Sequence, residues 1–373
     1  ARRNATQPDF NVVGGILDPR ILTIGFARRF ATYKRATLML SDKQRLLELL
    51  NHSERPVQIV IAGKSHPRDD GGKTLIQELV KFINFEGGRQ RMVFVEDYDM
   101  QVARALVQGV DVWLNNPRRP MEASGTSGMK VVPNGGLNCS ILDGWWDEGY
   151  DPAFGFAIGD RDDSPDEGHQ DWLDSRSLYG LIESELAPKF YHRPDNGLPT
   201  GWIQMMRGSI QTLAPMFSTS RMVREYAEQF YLPASVSYSK MRSGNLEQAK
   251  SALDWRSRVR GAWGEVRVIG SGDSSPTQVQ LGKPFTISAT VSLGSLSPND
   301  VKVQALVGRM GANRELVDFT AIDLKLVGEE GNAVKFEGQV LSQDPGHRGY
   351  TVRVIPNHED VYVPSELNLI RWQ

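Results

Sequence analysis

Asn115 to Leu137 reads NNPRRPMEASGTSGMKVVPNGGL. The stretch is too polar, and too rich in Gly and Pro, to be a core strand. It follows a strand-like apolar run, Val110-Asp111-Val112-Trp113-Leu114. A strand that opens into a glycine-rich turn and then a helix is a known way to hold an anion. The spacing predicts a helix from about Gly125 to Asn134. The stretch holds one carboxylate, Glu122, the cluster Ser124-Gly125-Thr126-Ser127-Gly128, and one lysine, Lys130, about a turn into the helix.

Working outward, the upstream sequence alternates strands and helices. Ile21–Phe26, Val57–Ala62, Met92–Val95 and Val110–Leu114 are compact apolar runs that suit buried parallel strands. Helical patterns cover Leu38–Leu50, with Ser41-Asp42 as an internal cap, and then Gly72–Phe85 and Met100–Gln108. A further strand is expected at Cys139–Leu142. This order means right-handed βαβ units on a parallel sheet, with ligands at the carboxyl ends of the strands. The polar clusters fall at those ends: Arg28–Arg35, Lys64–His66, Tyr98-Asp99, Glu122–Lys130 and Asp143–Asp147.

Downstream, Leu173–Ala187, Thr200–Tyr231 and Lys240–Trp263 read as helices. After Gly264 the texture changes to period-2 alternation, at 279–281, 285–291, 301–307, 334–340 and 350–354. That pattern predicts an antiparallel β-sandwich. The expected organisation is a linker at 1–19, a Rossmann-like α/β domain at 20–235, a helical connector at 236–264 and the sandwich at 265–373.

Bulk properties narrow the function. At 373 residues the chain holds about two domains. A net charge of -2 gives no electrostatic case for nucleic acid or an anionic membrane. No apolar run reaches the ~18 residues of a membrane span. The single cysteine, Cys139, excludes an internal disulfide and argues against a cysteine metal site, so a cytoplasmic setting and no metal are expected. The chain starts at Ala1 and reads as mid-protein sequence, so a fragment is expected.

Arg28, Arg29, Lys34 and Arg35 form a cation cluster at a strand's carboxyl end. A solvated face is the ordinary reading of such a run. Anion binding is favoured here, with Arg29 as a bidentate donor and Lys34 as a point charge. Glycines at 125 and 128 each cost roughly 1 kcal/mol inside a helix. They make sense if a ligand approaches the backbone. His66 carries only a weak signal. Trp145-Trp146 offers a sugar-stacking surface, though burial of at least one ring is the plainer expectation.

These motifs, kept in order from Arg28-Arg29-Phe30-Ala31-Thr32-Tyr33-Lys34-Arg35 through Ala62–Pro67, Glu96-Asp97-Tyr98, Glu122–Lys130 and Asn134–Leu137 to Asp143-Gly144, resemble the α-glucan phosphorylases, most closely the bacterial branch. The resemblance implies the second half of a two-domain glycosyltransferase B-type fold. It implies that Lys130 carries pyridoxal 5′-phosphate as an imine, that Gly125 and Thr126 cradle its phosphate, and that Arg28 and Tyr98 add contacts. Arg29 and Lys34 match the binders of inorganic phosphate, and Glu122, Ala123, Ser124 and Gly125 match contacts to the glucosyl unit. Catalysis would rest on Arg29, Lys34 and Lys130. The implied reaction is phosphorolysis of α-1,4-glucan to α-glucose 1-phosphate with retention. Animal members carry Lys, His and Glu where this chain has Arg28, Ala31 and Thr32, and small residues where it has Pro117–Pro120. The family's cleft lies between two domains, so the partner is an amino-terminal half, without which this chain is expected to be inactive. The family is commonly dimeric. Two rivals stand beside this reading: a sugar-nucleotide glucan synthase of the same fold, and a non-catalytic carbohydrate-binding piece. For the latter, Tyr350, Tyr362 and Trp372 are the exposed-aromatic candidates of the sandwich, where packing against another domain is the alternative.

Overall fold

The computed structural model describes residues 17–194, 197–274, 278–311, 315–330, 333–342, 345–360 and 364–373. The expected linker thus falls almost wholly outside the described residues, as does Tyr362. The chain separates into two compact units, Ala1–Glu225 and Tyr226–Gln373.

The first unit is built on β1 (Leu22–Ala27), α1 (Lys43–Leu50), β2 (Val57–Ala62), α2 (Asp70–Phe85), β3 (Met92–Val95), α3 (Met100–Gly109), β4 (Val112–Asn115), α4 (Thr126–Val131), β5 (Leu137–Ile141), α5 (Trp145–Gly149), β6 (Phe156–Ile158), α6 (Glu167–Leu181) and α7 (Thr200–Met216). Its six strands are parallel, in the order β3-β2-β1-β4-β5-β6. This is the doubly wound order, and it reverses between β1 and β4. Every residue of β1 and β2 is buried, which explains why both read as predominantly apolar runs, broken only by Thr23 and Gln58. Phe26, Ile61 and Leu114 serve the core on one face; Ala27, Val60, Ala62 and Trp113 serve the other.

Aspartates start the helices. Asp42, Asp69, Asp99 and Asp166 each accept a backbone N–H from the first turn of α1, α2, α3 and α6. Each such cap is worth about 0.5–2 kcal/mol. Asp42 therefore begins a helix instead of lying within one: Leu38–Leu40 forms a separate 3-10 turn. The helix expected at Gly125–Asn134 is a short α segment, Thr126–Val131, followed by a 3-10 turn, Val132–Asn134.

The second unit opens with helices α8 (Leu232–Arg242) and α9 (Glu247–Ala262). Its strands are β7 (Arg267–Asp273), β8 (Pro284–Ser292), β9 (Val301–Met310), β10 (Leu316–Glu330), β11 (Ala333–Leu341), β12 (Arg348–Pro356) and β13 (Arg371–Trp372). They run in the order β13-β12-β9-β10-β11-β8-β7. Strand β10 is shared: residues 316–324 pair with β9 and 325–330 with β11. Two sheet halves thus face one core, with Val303, Ala305, Val352 and Val354 from one and Ile287, Ala289, Val291 and Phe336 from the other. Trp255, Val259 and Trp263 join the same core. The expected run at 279–281 is no strand; it is irregular backbone leading into a turn.

Candidate functional site

The reversal between β1 and β4 opens a crevice at the carboxyl ends of the strands, where open α/β sheets bind ligands. Two loops meet there, Arg28–Arg35 after β1 and Asn116–Gly125 after β4. Arg28, Arg29, Lys34 and Glu122–Ser127 line one cavity of about 360 Å³.

At its centre Glu122 receives an Arg28 Nη2 hydrogen bond and a 3.0 Å contact from Lys34 Nζ. All three are buried or nearly so. Burial works to raise the Glu122 pKa, but the charge of Arg28 and the hydrogen bonds of Lys34 and Arg28 outweigh it and hold the carboxyl below its usual range. Arg28 Nη1 is also buried and has no acceptor among the described residues. A buried guanidinium donor left open calls for an anion or a water. Arg29 is exposed on the cavity wall and makes no hydrogen bond to another described residue.

Asp143, at the end of β5, accepts N–H bonds from Glu122 (2.9 Å) and Gly144 (2.9 Å). Burial pushes its pKa up against those two bonds. It fixes the backbone that presents Glu122. Asp143 and the wall residue Ser127 stood in the polar clusters expected at the strand ends, but neither was assigned a role there.

Arg35 departs from the expected cation cluster. Its backbone is left-handed at φ 47°, and its side chain turns inward. It donates to the carbonyls of Asn116 (3.0 Å) and Pro117 (2.8 Å) and pairs with Asp171 (2.9 Å) and Asp174 (2.7 Å) on α6. All its charge is used to tie the two cleft loops to a helix.

Two further expectations change. Gly125 caps α4 with φ 78°, a conformation that disfavours any side chain. Gly128 packs inward: a Cβ there would lie 2.4 Å from Asn138 Oδ1. Packing, not ligand approach, accounts for that glycine. Trp145 and Trp146 are both buried, and Trp146 Nε1 donates to Phe156 O at 3.0 Å, so neither offers a sugar platform. His66 accepts from Arg68 N in a local turn.

Lys130 and Tyr98 lie outside the cavity wall. Lys130 is exposed and folds back to Thr126, with Nζ 3.0 Å from the carbonyl and 3.2 Å from Oγ1. Thr126 is itself on the wall, so the amine stands one turn behind it. Tyr98 packs on the cluster that includes Val131. Ala123, Ser124, Gly125 and Thr126 are on the wall.

Fold and site together define a doubly wound α/β protein that gathers cations and one carboxylate at its switch point. Residues 16–146 match the sequence model of the carbohydrate phosphorylases, and residues 263–373 match that of the glycogen phosphorylase C-terminal domain. The chain belongs to the carbohydrate phosphorylase family. It is 44% identical over 370 residues to glycogen phosphorylase of Mycobacterium tuberculosis, covering 99% of this chain and 43% of that protein. It is 40% identical over 362 residues to maltodextrin phosphorylase of Thermococcus litoralis, covering 96% of this chain and 42% of the relative. With glycogen phosphorylase of Aquifex aeolicus it shares 47% identity over 218 residues, covering 58% of this chain and 31% of that protein. The chain therefore spans less than half the length of these relatives.

Proposed function

We propose that this chain is the cofactor- and phosphate-binding part of an α-1,4-glucan phosphorylase, acting with an amino-terminal part that supplies the opposite wall of the cleft. The observation that carries this reading is the buried group of Arg28, Lys34 and Glu122 at the switch point, with one guanidinium donor left open. Residues 20–235 form the working domain, 236–264 a connector and 265–373 an accessory sandwich. The relatives' names support glycogen or maltodextrin as the glucan. The protein works in the cytoplasm, in keeping with its lone cysteine buried at position 139, and as a homodimer by analogy with the family.

Arg29 binds inorganic phosphate through its fork, and Lys34 adds a point charge. An incoming phosphate competes with Glu122 for Lys34, while Arg28 keeps Glu122 ionised. Glu122, Ala123, Ser124 and Gly125 orient the glucosyl unit. The residues suit pyridoxal 5′-phosphate: an exposed amine on Lys130, backbone at Gly125 and Thr126, the open donor of Arg28, and Tyr98 beside the same helix. When bound, the cofactor's phosphate supplies a partner for proton exchange with the substrate phosphate. The cations stabilise charge that develops as the glycosidic bond breaks.

The test uses the protein extended by its amino-terminal part. Maltodextrin and inorganic phosphate should yield α-glucose 1-phosphate, and Lys130→Ala should abolish both activity and the absorbance band of bound pyridoxal. The same chain alone should produce none. Lack of the band in the extended protein would overturn the reading in favour of a sugar-nucleotide enzyme.

A further inference from the structure

Backbone pairing in the second unit lines up four side chains on neighbouring strands. Trp372 of β13 stands opposite Arg353 of β12, Arg353 opposite Gln304 of β9, and Gln304 opposite Asp323 of β10. Residues in register share a face of the sheet. Their chain neighbours Val303, Val352, Val354 and Leu324 point the other way, into the core. The row therefore lies on the outer face and spans three interstrand gaps, about 14 Å.

The row is tied together before any ligand arrives. Arg353 Nε donates to Gln304 Oε1 at 2.9 Å, and Gln304 Nε2 donates to Asp323 Oδ1 at 2.7 Å. The guanidinium sits 5.9 Å from the centre of the Trp372 ring, and that ring is 49% exposed. Lys302 Nζ reaches Asp323 Oδ2 at 3.4 Å. The terminal nitrogens of Arg353 make no hydrogen bond to another described residue.

The row joins a half-exposed indole to a guanidinium, an amide and a carboxylate: one apolar surface followed by polar groups that donate and accept. What suits this row is a ligand with an apolar face for the ring and a file of hydroxyls that both donate and accept. Its charges largely cancel, so a polyanion gains little there. Fixed side chains cost little further ordering on binding. We propose that this face binds α-glucan chains, at a site apart from the switch-point cleft; the ligand class rests on the phosphorylase reading above.

Electrophoresis of the whole 373-residue chain through gels with and without glycogen tests the proposal. Glycogen should retard the chain. Arg353→Ala and Trp372→Ala should each weaken the apparent affinity about tenfold, the scale of one lost stacking or charge-assisted contact. Trp372→Ala could detach β13, so Gln304→Ala, which leaves every strand in place, should also weaken retention. Lys73→Ala, on the exposed surface of α2 in the other unit, should leave it. No retardation, or retardation unchanged in Arg353→Ala and Gln304→Ala, would overturn the sheet site. Loss with Glu122→Gln alone would place glycogen in the cleft, ending this proposal and leaving the phosphorylase reading intact. Retention through the row, with no phosphorolysis by the extended protein, would end that reading and leave the sheet site.

Discussion

Two buried carboxylates, Glu122 on the cavity wall and Asp143 bonded to its backbone N–H, are pushed opposite ways. Asp143 is raised by burial, and the backbone N–H groups of Glu122 and Gly144 offset this only in part. Glu122 would be raised too, but Arg28 and Lys34 pull it down. Asp143 has both oxygens engaged by backbone, so it shapes the loop and does not exchange protons with a ligand. Glu122 is the group whose charge counts. Replacing it by Gln leaves two cations buried together and should cost about 3 kcal/mol at neutral pH. A lowered native pKa means that the stability is present above the unfolded glutamate pKa and is lost as pH falls through the native value. Melting curves of the native and Glu122→Gln chains should therefore differ at pH 7 and converge in acid. A gap that stays constant down to low pH would refute the ion-pair account.

At the scale of elements, the cleft loops are held by α6. Arg35 binds two carbonyls of the loop after β4 and two carboxylates of α6. Arg35→Ala strands those groups and should destabilise the first unit by about 3–5 kcal/mol in urea titrations. Arg35→Lys should recover only part, because an ammonium cannot span the same fork. Gly128→Ala forces a methyl against Asn138 and should cost about 1–3 kcal/mol by the same measurement, independent of any ligand.

Such elements show where sequence reading reaches. Strands β1 and β2 were legible because both faces are buried, so each run is mostly apolar, and its one polar side chain, Thr23 or Gln58, is buried and hydrogen-bonded to the other. The cations were legible as a cluster, but not the left-handed turn at Arg35 that sends one of them inward. Strand β6 is only three residues long and leaves no period to read. Strand β10 was missed because its register shifts between Val317 and Thr320, and again between Leu326 and Gly328, so alternation breaks twice. The apolar alternation at 279–281 has no partner strand among the described residues, and three residues cannot make a strand without one.

At the scale of the whole molecule, each unit has its own anchor. In the second, Asp300 accepts from both ends of Arg258 (2.7 and 2.7 Å), from Trp255 Nε1 (2.9 Å) and from Ser297. The Arg258 hydrogen bonds, working against burial, hold its carboxyl well below the usual range. Arg258 is half-exposed, so solvent screens part of that pairing. Asp300→Asn should cost about 1–3 kcal/mol at neutral pH, with the difference fading in strong acid. Hydrogen exchange should register the loss within residues 226–373, whereas Gly128→Ala should register it within 17–225. Spread of either effect evenly over the chain would contradict the division.

Strand β10 has a mechanical consequence. Because one continuous strand is hydrogen-bonded first to β9 and then to β11, the sandwich has no seam along which its halves can part. Residues 316–324 that hold β9 run without a break into residues 325–330 that hold β11. The strand works as a tether: a load on one leaf passes along its unbroken backbone to the other.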